Sequence, residues 1–535
     1  MDRPSDMTLN PLKERPLRNP MKISRMLCIP LGWMLMGSAG WAQDNPSVSG
    51  LFSDHAVLQR DMPVPVWGTA KPGATIKVKF GQQEKTAETG KDGKWLVRLD
   101  AMKASAEPAE LTVKSLAGDK PLTIAGVLVG DVWFCSGQSN MEWRMKQFKT
   151  EEDVAKADLP KIRHSHGGSG WTVCSPTTAG DFTATGFYFA RRIHRETGVP
   201  IGLLNNAIGG TCIEPWISPE GFNASPVLKQ IEVKKLIEYR QHLADTLPVL
   251  DAWIKTAQGM VGSGKEFPAQ PTLPVPQRDV GYGTLFTPHT LPLIPFAIKG
   301  MIWYQGEANG PEGGLYADKM IALISGLRKV WKQGDFPVYF VQLPNFSGQP
   351  NDIDLGDENF SGTRLAQFKA LKSIPNTGMA VTIDTSDTGD IHPTNKRDVG
   401  DRLAQWALAR DYGRKDLICS GPLYKGMKIE GGRIRVMFDY VGKGLVIGKK
   451  NGEEAMQEVP TEKLGCFALA IADSSSPKGL KWSWADAVID GDTVVVSSPD
   501  IENPVAARYA CICNPTGNKL YNKEGLPASP FTTDN

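Results

Sequence analysis

Between residues 127 and 412, apolar runs of strand length alternate with segments of helical pattern, and that alternation constrains the fold more than any other feature. The strand-like runs are 124–135, 201–208, 298–304, 338–343 and 379–383. Helical patterns cover 185–197, 218–259, 318–331, 363–373 and 396–412, the last with an apolar stripe at Val399, Leu403, Trp406 and Ala407. Continuous apolar strands separated by helices predict a parallel sheet covered on both faces. Such sheets take ligands at the carboxyl ends of their strands. A stretch rich in Pro and Gly, 262–283, reads as a loop.

Both flanks read as β structure. Residues 64–68, 75–80 and 95–99 are strand-like, with turns at Lys71-Pro72-Gly73 and Lys91-Asp92-Gly93-Lys94. After Cys419 the strand-like runs are 427–429, 433–438 and 493–498. A chain of 535 residues exceeds what one core serves. The expected partition is an extension and leader at 1–42, a β-sandwich-like domain at 43–126, an α/β domain at 127–415 and a β-rich region at 416–535. The leader starts at Met21: Lys22 and Arg25 precede a short apolar core at 26–36, and Gly40-Trp41-Ala42 offers a cleavage point before Gln43. That pattern predicts export, to the periplasm or beyond. Its apolar core is too short to span a bilayer and no other long apolar run exists, so no membrane span is expected.

The formal charge of +2 argues against nucleic acid as a partner. Eight cysteines include Cys28 of the leader, and no C-x-x-C occurs, which disfavours zinc or thioredoxin-type redox chemistry. Asp384, Asp387 and Asp390 do not follow the spacing of a calcium loop. Neither a metal nor an organic cofactor is expected.

Three strand ends of the α/β region carry polar residues. The run 124–135 breaks at Ser136-Gly137-Gln138, and Ser139 follows; the surroundings are not those of a G-x-S-x-G elbow. Ser139 reads either as an exposed nucleophile or as the cap of the next helix, with Glu142 completing a capping box. Gln305-Gly306-Glu307-Ala308-Asn309 follows the run 298–304, and Asp384 to Pro393 follows 379–383. Ile208-Gly209-Gly210-Thr211 adds glycine amides at the same edge. A serine esterase needs a base, a group to orient it and donors for the oxyanion. Seven histidines are present: His55 lies in the β flank, His194 and His242 in helices, His164 and His166 in a segment that reads as a loop, and His289 before a strand. His392 alone follows an end of the parallel sheet with carboxylates close in sequence.

Gly137-Gln138-Ser139-Asn140-Met141, Trp303-Tyr304-Gln305-Gly306-Glu307-Ala308-Asn309 and Asp390-Ile391-His392-Pro393 resemble the sialate O-acetylesterase family, within the SGNH hydrolases. Residues 51–59 and 521–531 resemble that family's ends, so the likeness spans nearly the whole mature chain. The resemblance implies a flavodoxin-like α/β hydrolase domain with Ser139 as nucleophile and His392 as base. It implies Asp390 as the orienting carboxylate, although SGNH enzymes usually place it three residues before the histidine, where this chain has Gly389. Asp387 and Glu307 are the substitutes. The oxyanion donors implied are the Ser139 and Gly210 amides with Gln305 or Asn309, and the substrate contacts are Gln138, Trp303 and Glu307. The expected reaction is removal of O-acetyl groups from carbohydrate, 9-O-acetylated sialic acids first and acetylxylan as the alternative. A non-catalytic carbohydrate-binding protein would suit the β flanks and the fourteen tryptophans. The intact Ser139, Asp390 and His392 favour the enzyme.

Overall fold

One long strand, β1 (Leu122–Gly137), joins the N-terminal β region to the central sheet. Its first half pairs with Val57–Gln59 and Ser105–Ser115, and its second half lies among parallel strands. Every residue from Val127 to Gly137 is buried, which is why this half reads as an unbroken apolar run. The computed structural model describes residues 45–118, 120–148, 150–271, 281–348, 351–354, 356, 358–386, 389–476 and 478–534. The expected leader at 1–42 and Asp387 lie outside the described residues.

After β1 come α1 (Ser139–Glu142), β2 (Leu159–His166), β3 (Thr172–Cys174), α2 (Ala184–Thr197) and β4 (Ile201–Ala207). The chain continues through α3 (Pro226–Met260), β5 (Gly300–Tyr304), α4 (Tyr316–Trp331) and β6 (Val338–Val341). It closes the series with α5 (Asn359–Ser373), β7 (Thr377–Ala380) and α6 (Lys396–Asp411). The helix expected at 218–259 is broken at Ser225, where Pro226 forces its predecessor into an extended conformation. The Ser225 hydroxyl then accepts from Leu228 N as the cap of α3.

The sheet order is β3-β2-β4-β1-β5-β6-β7, all parallel except β3. Apart from the β2–β3 hairpin, the order in chain sequence is second, first, third, fourth, fifth, so the winding reverses at β1. Its switch point is the carboxyl end of β1. α2 and α6 cover one face, sharing a core with Trp133, Phe189, Tyr339 and Leu403. α4 and α5 cover the other, around Met301, Phe340, Leu323 and Ala366. Each fully buried large apolar side chain of this kind contributes roughly 1.5–3 kcal/mol. The expected mixed α/β architecture with β-rich flanks is present. Thr75–Phe80 and Gln83–Glu88 extend the sheet through Ser105–Ser115, while Val64–Thr69 and Lys94–Leu99 form a separate sheet. Among the described residues, the C-terminal region holds three small antiparallel sheets, including one of Leu423–Ile429, Arg433–Asp439, Thr493–Ser497 and Asp486–Asp490.

Two expectations need correction. His164 and His166 lie on strand β2, not in a loop, and His164 is buried with its ring stacked on Phe182 at 4.8 Å. Ser139 is the first residue inside α1 instead of its cap; the position before it is Gln138, whose side chain makes no capping bond. Glu142 therefore completes no capping box.

Candidate active site

Ser139 follows directly from the way β1 ends. Gly137 has φ 138°, and a Cβ there would lie 2.1 Å from the Tyr304 carbonyl oxygen, so the backbones of β1 and β5 can approach this closely only at glycine. Gln138 N donates to the same carbonyl at 3.0 Å. The chain then turns into α1 with Ser139 only 7% exposed. As a first-turn residue, Ser139 has a backbone N–H with no acceptor within its helix.

His392 arrives from the segment after β7. Its Nε2 lies 2.9 Å from Ser139 Oγ. The indole of Trp143 stacks on the imidazole, with centroids 3.8 Å apart and planes at 14°. Burial lowers the pKa of His392, against the raising effect of Asp390. Asp390 Oδ1 is 3.3 Å from His392 Nδ1 and accepts from His392 N at 2.8 Å, and the Asp390 side chain is 66% exposed. Glu307 is turned elsewhere: its Oε1 accepts from Asn140 Nδ2, and burial raises its pKa. Asp384 is held by Arg402, whose Nη1 and Nη2 donate to it at 2.6 and 2.9 Å.

The Gly209–Gly210 turn lies against the serine. A Cβ on Gly209 would meet Ser139 Cβ at 3.4 Å. Gly209 N donates to Glu142 Oε2 at 2.7 Å, which fixes the turn from α1. Gly210 takes φ 73°, and its N–H finds no protein acceptor among the described residues. The carboxamides of Gln305 and Asn309 are buried and fully engaged. Gln305 Nε2 faces Asn309 Oδ1, Gln138 Oε1 and the Thr211 carbonyl. Asn309 Nδ2 donates to Glu214 and Glu312, and its Oδ1 accepts from Ile213 N. In this arrangement neither amide keeps an N–H for an oxyanion. Gln138 does: its Oε1 accepts from Gln305 and from Ala308 N, while its Nε2 has no protein acceptor among the described residues. Trp303 is 1% exposed, with Nε1 donating to Tyr316 Oη, so it belongs to the core and not to a substrate surface.

The fold thus brings Ser139, His392, Asp390, Gly210 and Gln138 together at one sheet edge, and puts Gln305, Asn309 and Glu307 in the layer beneath. Trp143 is the member of the site that sequence reasoning does not reach. Its position, four residues after Ser139 and so on the same side of a helical turn, is the signal that could find it.

The chain and its fold have relatives. A family model described as carbohydrate esterase, sialic acid-specific acetylesterase, matches residues 129–240 and 287–409. The sialate O-acetylesterase of Mus musculus is 28% identical over 541 residues, covering 89% of this chain and 92% of its own. That of Homo sapiens is 27% identical over 440 residues, covering 72% and 75%. The crystal structure of a carbohydrate acetylesterase from Xanthomonas citri matches with a TM-score of 0.73 at 33% identity, covering 91% of this chain and 99% of that one.

Proposed function

Because the chain belongs to the sialic acid-specific acetylesterase family of carbohydrate esterases, and is therefore a carboxylic ester hydrolase of O-acetylated carbohydrate, we propose that it removes 9-O-acetyl groups from sialic acids by a Ser139–His392–Asp390 mechanism. The observation that carries this reading is the 2.9 Å approach of His392 Nε2 to Ser139 Oγ at the switch point of the sheet. On this reading residues 127–415 form an SGNH-hydrolase domain between two β-rich flanks.

Ser139 Oγ attacks the acetyl carbonyl carbon while His392 Nε2 takes the hydroxyl proton. The oxyanion forms against the Ser139 and Gly210 amides, with the Gln138 carboxamide as the side-chain donor. The Gln305 and Asn309 amides act beneath it, holding Gln138 and the segment after Gly210. Collapse breaks the bond to the sugar oxygen, which leaves with the proton from His392. Water, deprotonated by His392, then attacks the acetyl-serine, and acetate departs as Ser139 recovers its proton. Asp390 orients the imidazole through Nδ1. Losing one oxyanion donor in such sites costs on the order of 100-fold or more in kcat.

The test is acetate release from mono-O-acetylated sialic acids and acetylated xylo-oligosaccharides. The expected result is a kcat/KM at least about tenfold higher on 9-O-acetylated sialic acid, equal to about 1.4 kcal/mol of transition-state discrimination. A higher value on xylo-oligosaccharides would reassign the substrate to plant polysaccharide. Among the described residues no helix is long and apolar enough to cross a membrane. Export rests on the 21–42 leader pattern: the purified mature protein should begin at Gln43, and a chain still carrying Met1 or Met21 contradicts it.

A further inference from the structure

Lys396 breaks two rules at once. It is the first residue of α6, where the helix macrodipole disfavours a cation, and it is fully buried. Burial pushes its pKa down to about 7. A buried ammonium is costly unless its hydrogens are used, and here two of the three are. Lys396 Nζ donates to Asn140 Oδ1 and to the Pro393 carbonyl, both at 2.6 Å. The rings of Phe148 and Tyr304 flank it at 4.8 and 5.5 Å.

Asn140 follows the nucleophile and is fully buried. Its carboxamide is oriented by two hydrogen bonds: Oδ1 accepts from Lys396 Nζ, and Nδ2 donates to Glu307 Oε1. The same Nδ2 lies 3.0 Å from the Ile391 carbonyl. Ile391 and Pro393 are the two neighbours of His392. One carboxamide therefore fixes the Ile391–His392 peptide directly and, through Lys396, the carbonyl of Pro393 on the other side. Between Asp390 and Asn395 there is no helix or strand to set the height of the imidazole. Among the described residues, the polar bonds of His392 other than its contact with Ser139 go to Asp390 within the same turn. They cannot set its distance to Ser139.

We infer that Asn140 and Lys396 are positioning residues of the esterase, clamping both sides of His392 to the residue next to the nucleophile. The inference rests on the Ser139–His392 reading above. A merely structural pair would change the amount of folded protein and leave the properties of each folded site alone; a clamp changes turnover per site.

The experiment compares Asn140→Ala and Lys396→Met in the full chain with p-nitrophenyl acetate, after circular dichroism and melting establish folding. Misplacement by about 1 Å costs about 100-fold, so kcat of Asn140→Ala should fall about that much with KM within about threefold. Lys396→Met keeps the direct tie to Ile391 and should lose about tenfold. The acid limb of kcat/KM in Asn140→Ala should move up toward the ordinary histidine range as the imidazole, which faces Asp390, Lys396 and Trp143, becomes hydrated. Folded variants with kcat within about threefold of the parent, or with a raised KM at unchanged kcat, overturn the inference. If Asn140→Ala does not fold, the kcat of Lys396→Met decides. Ser139→Ala separates the two levels: turnover by that variant removes the nucleophile reading, whereas a dead Ser139→Ala beside fully active clamp variants removes the clamp alone.

Discussion

The serine side and the histidine side of the site meet at 2.9 Å but are held by different means. Ser139 is placed by the fold itself: strand β1, the Gly137–Tyr304 approach and the first turn of α1. His392 sits in a turn without regular structure, beside a carboxylate that is 66% exposed. It is located by the Trp143 ring stacked on it and by the Asn140–Lys396 pair, which holds the carbonyls of its two neighbours. The parallel sheet can deliver a nucleophile at its switch point with backbone alone. On the proposed mechanism the base has to be tied on, and those ties are individually removable.

Substitutions on the histidine side should therefore be graded. His392→Ala should lose about 10⁴-fold or more in kcat, as removal of the base does in serine hydrolases generally. A loss below about tenfold would mean that Ser139 needs no base from this segment. Asp390→Asn comes next. In chymotrypsin-type proteases the orienting aspartate is buried, and its change to asparagine costs about 10⁴-fold. Asp390 is exposed and its oxygen is 3.3 Å from Nδ1, so we expect about 10- to 100-fold. A 10⁴-fold collapse would mean the carboxylate closes over the imidazole when substrate binds. Trp143→Leu should cost about tenfold, the worth of one stacked ring against a developing imidazolium.

The serine side is more legible in sequence than the histidine side, and for the same physical reason. β1, β4 and β5 are buried on both faces and show as apolar runs, so the strand end bearing Ser139 can be read directly. β2 escapes such a reading because Lys161, Arg163, His164 and His166 break its apolar pattern, although it lies inside the sheet next to β4. His392 is reachable by elimination among few histidines. Its supports are not: a lysine at a helix start reads as solvated, and one tryptophan among fourteen carries no mark of its role. Gln305 and Asn309 do lie at this edge, as their place after an apolar run implies, but only the hydrogen-bond network reveals that their N–H groups point inward.

Smaller effects sharpen the contrast. His392 must be neutral to accept a proton, and burial lowers its pKa. The plateau of kcat/KM should accordingly extend to more acidic pH than an ordinary histidine allows, with the acid limb falling below that range. An acid limb above it would mean that Asp390 outweighs burial. EDTA should leave the rate unchanged, since serine acyl transfer needs no metal; loss of rate restored by a divalent ion would contradict this.

Whether Ser139 is a nucleophile activated from the histidine side is tested most directly by covalent capture. The protein is treated with a fluorophosphonate and the modified peptide is mapped by mass spectrometry, in parallel with His392→Ala. We expect a single adduct on Ser139, coincident with loss of acetate release, and much slower labelling in His392→Ala. An adduct on another residue with activity abolished, or labelling of Ser139 at the same rate without His392, would contradict it.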